Sequence, residues 1–232
     1  MSETDSFIEE VTEEVRRDRL FALMKRYGWI AVLAVLLLVG GAAFNEWRKA
    51  RDRAAAEATG DAIIAALKED APEARAGALD AVRPDSAGAE ALARLLAAGE
   101  QMTAGEYDAA AAGLKAVEDN PDLPLIYRQV AAFKRLAVLG SSLTAEERRK
   151  GYEELVGPAS QLSLLAEEQL ALIDIEAGDT AAAGERLQKI AVDAGATPGL
   201  RRRATQLMVA MGITPEALPG AAGADAAAPA GE

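Results

Sequence analysis

The sequence contains neither cysteine nor histidine. Their absence removes the thiolate nucleophile, the usual metal ligand and the commonest general base, so any catalysis would fall to carboxylates alone. A chain without cysteine suits an oxidising compartment, and it suits the cytosol equally. Aromatic residues make up only 4% of the chain against 50% hydrophobic residues overall. That balance fits closely packed Ala-rich helices and argues against a β-sandwich. Basic residues are outnumbered, 25 to 37, which leaves a formal net charge of −12. A phosphate backbone would meet net repulsion, so nucleic acid is not an expected partner. No catalytic residue, cofactor or metal site is expected.

What the sequence does have is one long apolar run. From Gly28 it reads GWIAVLAVLLLVGGAAF to Phe44, without a charge or a strongly polar side chain. As a helix rising about 1.5 Å per residue it is roughly 25 Å long, slightly short of a hydrocarbon core of roughly 30 Å. Tyr27 and Trp29 at one end and Trp47 at the other supply interfacial rings, and Lys25, Arg26, Arg48 and Lys49 can snorkel outward. A transmembrane helix over residues 28–47 is the expectation. A buried core helix would leave those flanks unexplained. A cleaved signal peptide could use Gly41-Ala42-Ala43, but signal n-regions are short and basic, whereas Glu3, Asp5, Glu9, Glu10, Glu13, Glu14 and Asp18 precede this run. The run has no pair of small residues four apart and no Ser, Thr, Asn or Gln, so it reads as a plain tether.

Residues 1–27 form an amphipathic segment. Ser6 and Glu9 have capping-box spacing, with Phe7, Val11 and Val15 recurring at helical intervals. Its acids come first and its bases last, which complements a helix dipole. Arg16, Arg17, Arg19, Lys25 and Arg26 precede the apolar run; Arg48, Lys49, Arg51 and Arg53 follow it. The small excess on the N-terminal side favours a cytoplasmic N-terminus.

After Arg53 the chain is a series of Ala- and Leu-rich stretches divided by Pro72, Pro84-Asp85-Ser86, Asn120-Pro121, Gly140-Ser141-Ser142, Gly157-Pro158 and Thr197-Pro198. Thr144 and Glu147 have capping-box spacing. The stretches pair as 54–82 (irregular), 86–118, 123–156 and 161–194, with a last helix over 198–211. Residues 54–212 are one helical domain, and 213–232, ending AAGADAAAPAGE, lack the large apolar residues to fold and read as a disordered tail.

An internal repeat lies at the pair junctions. Gly105, Tyr107, Ala110, Leu114 and Val117 match Gly178, Thr180, Ala183, Leu187 and Ile190 offset for offset. This pattern resembles the tetratricopeptide repeat, with its Gly-x-Tyr turn, a small residue three further on and apolar residues at fixed spacings down the second helix. Gly permits the tight turn, Ala lets two helices approach, and Tyr107 is expected to wedge against the following pair. The interval from Gly105 to Gly178 exceeds two repeats of about 34 residues by a few, which places an insertion near Gly140 to Thr144. The expected fold is therefore all-α: a single N-terminal transmembrane helix followed by a tetratricopeptide-like solenoid. A generic helical bundle is the alternative.

The whole order of segments is similar to the tetratricopeptide-like family that includes the ancillary subunit of the bacterial Sec translocon. The resemblance implies a single-pass inner-membrane protein with its repeat domain in the periplasm, binding translocon components, exported clients or chaperones. A structural adaptor or assembly factor of another inner-membrane complex is the alternative, and an incomplete terminal pair would allow a homo-oligomer. In a stacked-pair groove the candidate partner-binding residues are Leu92, Leu95, Met102, Tyr127, Arg128 and Lys134, with Leu165, Leu172 and Ile175 as a second stripe. The acid pairs Glu146-Glu147, Glu153-Glu154 and Glu167-Glu168 are expected on solvated faces, diverging and not converging on a substrate.

Overall fold

The computed structural model describes residues 3–214. Among them there is no strand. The helices are α1 (Glu3–Ala66), α2 (Pro72–Ala81), α3 (Ala87–Ala104), α4 (Tyr107–Glu118), α5 (Leu125–Leu139), α6 (Ala145–Glu153), α7 (Ser163–Glu176), α8 (Thr180–Val192) and α9 (Pro198–Ala210). The chain divides into two units between Glu57 and Ala58, each described here by itself.

The first unit is helical from Glu3, upstream of Ser6, so Ser6 is not the residue before the first turn. The side chains of Ser6 and Glu9, and the chain after Thr214, lie outside the described residues. From Met24 onward α1 is long and apolar enough to cross a membrane, and its most apolar stretch is not buried against any other part of the chain. Leu36, Leu37, Leu38 and Val39 are all more than 60% exposed. Exposure of that many large aliphatic groups to water would be strongly unfavourable, at about 1.5–3 kcal/mol per side chain.

The second unit begins inside α1. The expected first pair, 54–82, is not a free-standing hairpin: no Gly or Pro interrupts the chain between Phe44 and Gly60, and the helix runs on to Ala66. Its last turns put Ile63 and Ala66 into a core with Leu79, Ala93 and Ala97. The following helices pack mainly on their sequence neighbours, α2 on α3, α3 on α4, and so on to α9, with α3 also touching α5. Local chemistry explains the boundaries. Ser86, Thr144, Asp179 and Thr197 each accept an N–H bond from the first turn of the following helix. At Thr144 the capping box is complete, with the Glu147 carboxylate accepting from the Thr144 N–H at 2.9 Å. That bond, with the Thr144 hydroxyl, holds the Glu147 carboxyl below the usual range.

Helices α3, α7 and α9 end alike. Gly105, Gly178 and Gly212 have φ of 80°, 80° and 76°, in the left-handed region that glycine adopts without strain. In each case the next N–H reaches back five positions: Glu106 to the Gln101 carbonyl at 2.8 Å, Asp179 to Asp174 at 2.9 Å, and Ile213 to Met208 at 2.9 Å. The helix after each of the first two glycines buries Ala110, Leu114 and Val117, or Ala183, Leu187 and Ile190, to 1% exposure or less. Helix α5 ends differently, at Gly140 with φ 43°, followed by a 3₁₀ turn over Gly140–Ser142 before α6. Tyr107, the first residue of α4, is 55% exposed and is not among the side chains packed on the core of α3, α4 and α5.

Candidate interaction surface

The six residues singled out for a groove divide between core and surface. On α3, Leu92 and Met102 are exposed, at 46% and 36%, while Leu95 is half-buried against the core of Ala91, Ala98, Leu114 and Ala131. On α5, Tyr127 packs on that same core, Arg128 is half-buried with its Nε lacking a hydrogen-bond partner, and Lys134 is exposed. Leu95 and Tyr127 are therefore more structural than available. On α7, Leu165 packs into the core formed with α8 and α9, and Leu172 and Ile175 are half-buried.

Among the described residues two of the clefts lie elsewhere, and neither of these is lined by any of those six residues. One, of about 410 Å³, lies between α7 and α9: Leu172 and Leu207 are its apolar walls, Gln169 and Gln206 its carboxamides, and Glu168 and Arg203 its charges. The other, of about 590 Å³, lies among α2, α3 and α4, with Asp80, Arg83, Glu90, Arg94 and Gln101 among its lining residues.

Sequence reasoning missed the polar contacts between helices. Glu167 and Glu168 are not a solvated pair. Glu167 accepts from Arg186 Nη1 of α8 at 2.6 Å, while Glu168, buried, is gripped at both carboxylate oxygens by Arg203 of α9 at 2.7 Å. Being adjacent on a helix, the two point about 100° apart, so each meets a different neighbour. Asp174 is 3% exposed and joins three helices, accepting from Arg149 of α6 at 2.6 Å and from Arg186 of α8 at 2.9 Å. Arg75 meets Glu100 at 2.7 Å, Gln101 meets Asp80 at 3.1 Å, Arg135 meets Glu118 at 2.5 Å, and Arg148 meets Glu176 at 2.5 Å. These bonds raise the pKa of Arg135, Arg148 and Arg203, and Arg148 lowers that of Glu176. For Arg186 burial opposes the charge, and Glu167 and Asp174 together more than offset it. Such carboxylates are committed to holding helices together. Glu153 and Glu154 are exposed, as expected.

One consequence is a pH response. Burial pushes the Tyr152 phenol above its ordinary value, and the nearby Arg148 only partly opposes it; the ring packs edge-on to Phe133 with centroids 5.5 Å apart. The folded state thus favours the neutral phenol. Its contribution is complete below the unfolded phenol pKa of about 10 and is lost as the pH rises through the raised folded value. The urea midpoint of the full chain should fall as the pH rises above ~10, and fall less in Tyr152→Phe. Equal losses in the two proteins would remove Tyr152 as a cause.

No protein-family model matches the chain, and no curated protein or solved structure matches it.

Proposed function

We propose that the chain is a membrane-anchored protein-interaction scaffold: a single span in α1 tethers a tetratricopeptide-like solenoid, and the solenoid binds segments of partner proteins without bond chemistry. The observation that carries this reading is the recurring turn. Left-handed glycines end α3, α7 and α9 at Gly105, Gly178 and Gly212, and a positive-φ glycine of different turn geometry, Gly140, ends α5; the four fall at intervals of roughly 34 to 38 residues, close to the tetratricopeptide period. Packing mainly between sequence neighbours is the pattern of a repeat stack. Absence of histidine and cysteine, with the buried carboxylates tied to arginines, favours binding over catalysis.

In this reading the N-terminus is cytoplasmic, the repeats are periplasmic in a bacterial inner membrane, and the partners are translocon components, exported clients or chaperones. The support is the order of acidic-then-basic segment, anchor and acidic repeat domain. A reporter that works only outside the cytoplasm, fused after Glu232, should be active. Purification of the full chain in detergent should recover translocon subunits and export chaperones. A reporter active only in the cytoplasm overturns the topology, and consistent recovery of a different membrane complex overturns the assignment of partners.

A further inference from the structure

We propose that the face of α1 carrying Arg48 and Arg51 binds the headgroup of an anionic phospholipid. The inference rests on the reading of α1 as a membrane span. Because the helix is unbroken here, Phe44, Trp47, Arg48 and Arg51 follow the i, i+3, i+4, i+7 spacing of a single face. The Phe44 and Trp47 rings lie 5.9 Å apart, and both are about 60% exposed. At about 1.5 Å per residue, Trp47 stands roughly 4–5 Å beyond Phe44, Arg48 roughly 6 Å and Arg51 roughly 10 Å. A headgroup layer is about 5–8 Å deep on each side of the hydrocarbon. The rings therefore sit at the apolar boundary and Arg48 at the level of the phosphates, while Arg51, just beyond that layer, can reach back to it because helical side chains lean toward the N-terminus; the phosphate oxygens match a forked N–H donor.

The charge arrangement leaves two exposed guanidinium groups without a carboxylate on this face, whereas most arginines between the packed helices hold one. In the second unit Arg75, Arg94, Arg135, Arg148, Arg149, Arg186 and Arg203 each hold a carboxylate. Arg48 and Arg51 are exposed, and among the described residues neither forms an ion pair, even though Asp52 lies one turn from Arg48. The other two bases of this stretch, Lys49 and Arg53, point to the opposite side of the helix, where Arg53 meets Glu46 at 3.7 Å. A zwitterionic headgroup brings its own cation and would gain little from two more. An anionic one leaves its phosphate charge to be met.

The test uses the full chain with Trp29→Phe, which leaves Trp47 as the sole tryptophan. It is reconstituted in phosphatidylcholine vesicles carrying a trace of acyl-chain pyrene on either phosphatidylglycerol or phosphatidylcholine, and energy transfer from Trp47 is read. Phosphatidylglycerol should be roughly fivefold enriched around Trp47 relative to the bulk bilayer. Adding Arg48→Gln with Arg51→Gln should abolish the enrichment, while Lys49→Gln with Arg53→Gln, the same loss of charge on the other side, should keep most of it. Equal transfer to the two lipids, or equal loss in the two double variants, overturns the site, the latter by reducing it to diffuse attraction. Transfer to neither lipid means that α1 does not enter the bilayer, so the anchor fails and the site with it.

Discussion

Asp174→Ala should destabilise the helical unit by about 3–5 kcal/mol, the usual consequence of removing one partner from a buried ionic cluster. Asp174 is 3% exposed, and its two oxygens separate two guanidinium groups that belong to different helices. Without it, Arg149 and Arg186 lose the anion that both guanidinium groups share. Arg149 is about one-third exposed and can partly rehydrate; Arg186 is more enclosed and keeps only Glu167. Asp174→Asn, which keeps the shape and loses the charge, should fall between alanine and wild type. The contrast is Lys115–Asp119, four residues apart at the end of α4 and more than half exposed on both sides. Asp119→Ala should cost only about 0.3–0.5 kcal/mol. Urea titration of the full chain in detergent, followed by far-ultraviolet circular dichroism, measures all three. An Asp174→Ala cost below about 1 kcal/mol would mean that the cluster is solvated and holds nothing together.

That cluster also shows where the sequence stopped being readable. Helix ends are local events, and Ser86, Thr144 and Thr197 announce them by residue type and by the bond that a hydroxyl makes three residues on. The glycine turns are equally local, since a positive φ selects glycine whatever surrounds it. Gly212 carries no repeat signal in the sequence because the segment after it reads as a tail, leaving no second helix to complete the pattern. The ion pairs are of another kind. Glu167 finds its arginine 19 residues away and Glu168 finds its own 35 residues away. No spacing rule links either pair, because the partner depends on which helix packs on which side. For the same reason Leu95 and Tyr127, surface candidates by helical spacing, proved half-buried: spacing defines a face but not what covers it. The continuity of α1 is legible in the sequence, since nothing between Phe44 and Gly60 stops the helix.

Leu114→Ala and Leu187→Ala carry the second large effect, and together they test whether the unit is a repeat stack. Both side chains are fully buried, and each lies nine residues after a left-handed glycine. Deleting a buried leucine side chain to Cβ removes its transfer energy and leaves a cavity, so each variant should lose about 2.7–5 kcal/mol. Leu114 packs with Ala98, Ala110 and Ala131, whereas Leu187 packs with Ala171, Ala204 and Met208, and the two cores share no residue. In a stack whose repeats touch only their neighbours, such losses add and stay local. Hydrogen exchange should therefore speed up over α3 to α5 in Leu114→Ala and over α7 to α9 in Leu187→Ala, each leaving the other region nearly protected. Uniform loss of protection across α3 to α9 in both variants would instead identify a single cooperative bundle. The matched glycine turns would then be local caps without a repeat behind them.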